Sequence, residues 1–163
     1  MCTQSIVEPR LTPIAPAKSS WLMCPPEFYD VQYVINPWME NNLHAASRSR
    51  AIEQWRRLHE AIATLGPVEL IHPALGLPDM VFTANAGIER NGVVVRSRFL
   101  HVERRKEETF FRDWFQQNGY TIIDLPPNIP FEGEGDALFS HDASVLWAGC
   151  GMRTDQRSHA FLA

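Results

Sequence analysis

Helical periodicity recurs along this chain at a near-constant interval, and that interval constrains the fold more than any single motif. From about Ala45 to Leu65 the apolar residues Ile52, Trp55, Leu58, Ile62 and Leu65 fall three or four apart. They form one stripe of an amphipathic helix, closed by Gly66 and Pro67. A second helix covers roughly Glu103 to Gln117, burying Phe110, Phe111, Trp114 and Phe115, with Asn118-Gly119 as its stop. Thr154 or Asp155 caps the start of a third. The helices begin near 45, 103 and 155, roughly 50–60 residues apart, which is the period of an architecture built from one repeated supersecondary unit.

Short apolar runs fill the intervals. Trp21-Leu22-Met23-Cys24 stops at Pro25-Pro26 and reads as a strand, as do Val68 to Ile71, Met80 to Thr83 and Tyr120 to Leu125. Ala86-Gly87-Ile88 and Val93-Val94-Val95 flank Asn91-Gly92, a strong hairpin signal. Ala137-Leu138-Phe139 and Val145-Leu146-Trp147 bracket His141-Asp142-Ala143-Ser144 as a second hairpin. The order is therefore strand, helix, strand, hairpin, helix, strand, hairpin, then a nascent helix: an α/β chain. Residues 1–20, with Pro9, Pro13 and Pro16, read as a mobile leader, and 21–163 as one domain. Because the pattern stops inside a helix, the expectation is the N-terminal part of a longer domain.

Bulk properties narrow the class. With 163 residues, 45% of them hydrophobic and 21% charged, the chain is long enough and apolar enough for one globular core. A net charge of −4 gives no footprint for a nucleic acid. The arginines around Arg48 to Arg57 alternate with apolar residues and read as a solvated helix face rather than a phosphate patch. Cys2, Cys24 and Cys150 form no CxxC, which argues against structural zinc and for free thiols. Neither a secretory signal nor an apolar run of ~20 residues is present, so no membrane association is expected and the placement is cytoplasmic.

Polar residues collect where the periodic pattern breaks. Cys24 to Glu40 packs prolines, aromatics and Asn36-Pro37 into one loop; Pro78 to Gly87 ends in Asn85-Ala86-Gly87; Trp147 to Thr154 is a glycine-flanked turn carrying Arg153. The fourth segment, Phe131-Glu132-Gly133-Glu134-Gly135-Asp136, spaces three carboxylates at alternate positions. If extended, it puts all three on one face, where they repel unless a cation joins them. A metal or a guanidinium or ammonium group would serve; a calcium loop uses Asp and Asn more densely, so metal is the weaker case. A solvated acidic turn is the simpler alternative, although the intervening glycines favour close approach of a ligand.

Together these four segments resemble the amidinotransferase superfamily, and within it the arginine deiminase and arginine dihydrolase branch, from about Trp21 to Ala163. The resemblance implies an α/β-propeller (pentein) of ββαβ-type modules around a substrate channel, with under three of its five modules in this chain. It also implies a cysteine thiolate that attacks the guanidinium carbon of arginine and a histidine acting as acid and base. On the matching positions, Glu132 looks like the carboxylate that holds the guanidinium and Asp136 like the acid closing the same motif; Glu134 has no assigned role. Asn85 falls where deiminases place an aspartate, and with Asn36 it resembles the dihydrolase branch, which yields ornithine, ammonia and carbon dioxide. An amide can donate to a developing urea oxygen where a carboxylate only accepts. Arg104 (or Arg105) and Arg153 match a clamp on the substrate α-carboxylate.

Simpler readings stand beside these. Asn36 and Asn85 can be turn formers, and Arg104 sits in a charged run fit for a solvated helix start. The resemblance implies a catalytic histidine after the third helix and a nucleophilic cysteine near the far end of the domain, both expected beyond Ala163, and Cys150, His141 and His159 lie in segments where the family does not keep them. The expected function is hydrolysis of the arginine guanidino group with no cofactor. Arginine deiminase, dimethylarginine hydrolase, amidinotransferase and a non-catalytic arginine-binding fragment are the alternatives. Unpaired module faces would favour a homo-oligomer.

Overall fold

The structure is a computed structural model and describes residues 20–162, so the leader expected at 1–20 lies outside the described residues except for Ser20. Three small sheets follow one another along the chain. In the first, β1 (Trp21–Met23) pairs in parallel with β2 (Val68–Leu70), and α1 (Arg48–Ala63) lies between them in sequence. In the second, β3 (Gly87–Arg90) and β4 (Val93–Arg96) form an antiparallel hairpin, and α2 (Glu107–Gln117) leads on to β5 (Thr121–Asp124), parallel to β4. This is a whole β-β-α-β unit. The third holds the antiparallel pair β6 (Ala137–Phe139) and β7 (Leu146–Ala148), followed by a 3-10 turn and the four-residue α3 (His159–Leu162). The recurring element order expected from the sequence is present as a mixed α/β fold.

The middle unit shows how local chemistry sets this order. Asn91 (φ 53°) and Gly92 (φ 79°) both adopt the left-handed conformation that a two-residue hairpin loop with native strand twist requires. On β4 the alternation of a strand sends neighbouring valines to opposite faces. Val94, wholly buried, joins Phe111 and Phe115 of α2, Met80, Phe99 and Cys24 in one core. Val95 joins Ile88, Leu125, Ile129 and Phe131 in another. The strand is thus a partition between two cores, and the third sheet packs on the second of them.

Four expectations are corrected. Met80 to Thr83 is no strand: Pro78–Val81 and Thr83–Asn85 are successive 3-10 turns. A short apolar run beginning at a proline suits a buried helical turn as well as a strand, and Met80 is buried either way. Glu132, Glu134 and Asp136 do not alternate on an extended segment, because Gly133–Gly135 forms a 3-10 turn that leaves Glu134 exposed. The helix expected from Glu103 starts at Glu107, after a run of turns. Finally, α1 forms, capped by the Ser47 side chain, but its apolar stripe is not buried: Leu58 is 54% and Leu65 73% exposed. No helix among the described residues is long and apolar enough to cross a membrane.

Candidate functional site

A cavity of about 1020 Å³ is lined by the loop after β1, the start of α1, the turns before β3, the segment before α2, the turn before β6 and the turn after β7. Asn36, Asn85, Arg104, Glu132, Asp136 and Arg153 all lie on its wall. Residues separated by more than a hundred positions therefore meet where the ends of the three sheets converge.

Arg104 is the hub. It is 3% exposed, and its guanidinium lies 4.2 Å from the centre of the Phe99 ring. Nε and Nη2 donate to the Glu107 carboxylate, Nη2 also to the Asp79 carbonyl, and Nη1 to Oδ1 of Asn85. The carboxylates of Asp79 and Glu132 stand 3.9 and 3.6 Å away. In this state Arg104 joins three segments of the protein, rather than presenting the open edge expected of an α-carboxylate clamp. The solvated-helix alternative for it is also excluded by its burial.

Asn85 is fixed at both ends of its amide: Oδ1 accepts from Arg104 at 3.0 Å and Nδ2 donates to the Glu132 carbonyl at 3.4 Å. A methyl group on Gly135 would collide with that amide. Asn36 sits on the exposed rim, where its side chain caps the 3-10 turn Pro37–Met39 by accepting from the Met39 amide at 3.2 Å.

Glu132 is wholly buried, and neither carboxylate oxygen accepts a hydrogen bond among the described residues. Arg153 Nη1 lies 3.0 Å from its Oε2, close enough for charge attraction but without hydrogen-bond alignment. The other Arg153 amino group donates to Asp136, whose second oxygen accepts from the Thr154 hydroxyl at 2.7 Å. Arg153 keeps 38% of its side chain exposed, so it is the more open of the two arginines.

The carboxyl groups of Asp79, Glu132 and Asp136 share the cavity lining with the guanidinium groups of Arg50, Arg104 and Arg153, and Glu107 pairs with Arg104 behind the wall. Burial raises the carboxyls of Asp79, Glu107 and Glu132 above their ordinary values, and the arginines pull each of them back. For Glu107 burial wins, with Asp79 and Glu132 adding to it, and its carboxyl is pushed up to about 7. Among the described residues no group of three or more His, Cys, Asp or Glu is placed to hold a metal ion.

Sequence reasoning passed over Asp79 and Glu107. Asp79 stood inside a segment already noted for Asn85. Glu107 is three residues after Arg104, the spacing of a helical ion pair, but a run of Glu, Arg and Lys reads as solvated unless the neighbouring Phe99 is taken as its cover. The described thiols are elsewhere: Cys24 is buried in the core with its thiol pushed up to about 12 by burial, and Cys150 is exposed outside the cavity lining. His141 and His159 do not line the cavity either, whereas His101 does.

No protein-family model matches the chain. Individual relatives do. It is 55% identical over 142 residues to the bifunctional arginine dihydrolase/ornithine cyclodeaminase ArgZ of Synechocystis, a match covering 87% of this chain and 20% of that protein. AgrE of Nostoc, of the same description, is 54% identical over 143 residues, again covering 20% of the relative. A dimethylarginine dimethylaminohydrolase of Mycobacterium tuberculosis is 39% identical, with 91% of this chain and 48% of the relative covered. Among solved structures, the N-terminal domain of ArgZ bound to substrate superposes with a TM-score of 0.87 at 54% identity, over 88% of this chain and 53% of that domain. A dimethylarginine dimethylaminohydrolase adduct gives 0.75 at 17% identity and shares the fold. The chain thus shares the mixed α/β fold of these relatives. It belongs to the amidinotransferase (pentein) superfamily as a homologue of the ArgZ and AgrE arginine dihydrolases, and spans about a fifth of their length.

Proposed function

We propose that the cavity receives the guanidino group of arginine, and that the chain is part of an arginine dihydrolase forming ornithine, ammonia and carbon dioxide. One observation carries this reading: Glu132, wholly buried at the cavity wall, has two carboxylate oxygens with no hydrogen bond among the described residues. A buried carboxylate in that condition calls for a planar donor of two N–H groups, which a guanidinium supplies in matched geometry. Arg153, half-open and already 3.0 Å from Glu132, is the group on which we place the substrate carboxylate.

The dihydrolase reading over the deiminase one rests on Asn85. Its amide is held by Arg104 and by the Glu132 backbone, so Nδ2 keeps a second hydrogen aimed by a rigid frame rather than by a mobile side chain. The identities above to ArgZ and AgrE support the same branch. We infer further that the three units are successive modules of an α/β-propeller, a reading supported by the β-β-α-β order of residues 87–124.

The covalent step needs a thiolate, and neither described thiol faces the cavity. We therefore place the nucleophile and its histidine outside these residues, and assign this chain binding and orientation alone. The unpaired thiols Cys24 and Cys150 suit a cytoplasmic setting. Calorimetry with arginine tests the reading: saturable binding is expected, and no heat at millimolar arginine sinks it. Release of ornithine or ammonia by the 163-residue chain would overturn the assignment of binding alone.

A further inference from the structure

The loop from Asp30 to His44 carries Asn36 and forms one wall of the cavity. Its neck is closed on itself: the His44 amide donates to the Val31 carbonyl at 2.9 Å, and His44 Nδ1 lies 2.7 Å from the Asp30 carboxylate. Within it, Asn36 caps a turn and Asn42 donates to the Trp38 carbonyl. Among the described residues a single hydrogen bond joins this loop to a segment distant in the chain. The Tyr33 hydroxyl donates to Oδ2 of Asp79 at 2.8 Å.

Asp79 is 4% exposed and stands on the cavity wall. Its Oδ2 is engaged by Tyr33, while Oδ1 accepts no hydrogen bond among the described residues. We propose that Tyr33 is a positioning residue of the site: its one hydrogen bond aims the Asp79 carboxylate at the cavity and seats the loop that carries Asn36. The proposal rests on the guanidino reading, because an aimed carboxylate serves a cationic ligand.

The physical argument has two parts. A buried carboxylate rotates about its terminal torsion unless a donor holds one oxygen, and a phenol is a strong donor to a charged acceptor. The charged groups facing Asp79 are Arg104, 3.9 Å away, and Glu107, which Arg104 holds between them. Burial drives the Asp79 carboxyl towards its neutral form, while the Tyr33 hydrogen bond and the Arg104 charge oppose this. Removing the hydroxyl therefore loosens the loop and moves the Asp79 titration upward in pH.

Tyr33→Phe deletes the hydroxyl and keeps the ring. The first measurement is the carboxyl-carbon titration of Asp79 by NMR in the 163-residue chain, with the resonance assigned by its loss in Asp79→Asn. The midpoint is expected to rise in Tyr33→Phe, and an unchanged midpoint overturns the proposal. The second is hydrogen exchange at the Met39 and His44 amides, expected to quicken in the variant; unchanged exchange overturns the seating of the loop. The third is arginine calorimetry near pH 7, where the variant is expected to bind about tenfold more weakly at a melting temperature within about 2 °C of the parent. Equal affinities would overturn the link to the ligand. If the parent itself takes up no arginine, the guanidino reading falls, and the titration and exchange still decide the role of Tyr33.

Discussion

Arg153 Nη1 stands 3.0 Å from Oε2 of Glu132, yet that buried carboxylate accepts no hydrogen bond among the described residues. The two residues flank the third sheet in sequence and meet at one end of it, Glu132 from the turn before β6 and Arg153 from the turn after β7, because Ala137 pairs with Ala148. Their charges are matched and their hydrogen-bonding capacity is not. An unsatisfied buried acceptor opposes folding by about 1–3 kcal/mol or more when charged, so the fold carries this group against its own stability. The guanidinium contact proposed for Glu132 would relieve that cost.

Replacing Glu132 by Gln should therefore separate binding from stability. Glu132→Gln retains the shape and removes the charge that a guanidinium would meet, so arginine affinity should fall at least tenfold in calorimetry. Thermal stability should be unchanged or higher, because a neutral amide is less costly to bury than a carboxylate with no hydrogen bond. A variant that binds arginine as well as the parent would remove Glu132 from the site.

Glu107 gives the chain a pH dependence of defined sign. Its carboxyl titrates at about 7 in the folded chain against an ordinary 4.5. Between these values the folded chain holds a proton that the unfolded chain has released, so stability falls as pH rises through this window and the loss is complete above about 7. Asp79 and Glu132 are shifted in the same direction and add to the trend. Urea midpoints measured from pH 5 to pH 8 should decrease, and Glu107→Gln should flatten the slope. A midpoint that rises over this range would show that Arg104 keeps Glu107 ionised throughout.

Much of this fold was legible from periodicity. The Asn91-Gly92 hairpin, the two long helices and the recurring order all depend on local turn chemistry and on stripes three or four residues apart. What was not legible depends on who the neighbours are. The run from Met80 to Thr83 has the composition of a strand but starts at Pro78 and lies in a crowded core, where 3-10 turns place Asp79 and Asn85 on the same cavity. Glu107 was camouflaged by Glu103, Arg105 and Lys106. Only the folded chain brings Phe99 over the Arg104 guanidinium. The six candidate site residues could be chosen by resemblance, but their division of labour could not, because hydrogen-bond saturation is a property of three dimensions.

Gly133 should be the least replaceable glycine of the site. Its φ of +56° lies in the left-handed region, and a Cβ there would come within 2.6 Å of the Gly87 carbonyl oxygen and 2.8 Å of the Ala84 carbonyl oxygen. Strain and collision act together against backbone atoms that cannot rotate away, so Gly133→Ala should cost more than about 1–3 kcal/mol. Because Gly133 follows Glu132 directly, the same change should displace that carboxylate and abolish arginine binding. Loss of binding with full stability would mean that the turn can relax and that only the aim of Glu132 depends on it.

Apolar periodicity alone does not report burial, and two helices of the same amphipathic character make the comparison. In α2, Phe111 is 1% exposed and packs with Val94, Met80 and Phe99 in the core between the first two sheets. In α1, Leu58 belongs to an equally regular stripe but is 54% exposed, and no residue of that helix is buried among the described residues. Phe111→Ala removes a large side chain from a closed core and should destabilise the chain by about 3–5 kcal/mol. Leu58→Ala removes little buried surface and should change stability by about 0.5 kcal/mol or less. Urea denaturation of the two variants at low protein concentration measures both. If Leu58→Ala instead costs as much as a core truncation, and does so more strongly as protein concentration rises, the α1 stripe is covered by a second copy of the chain.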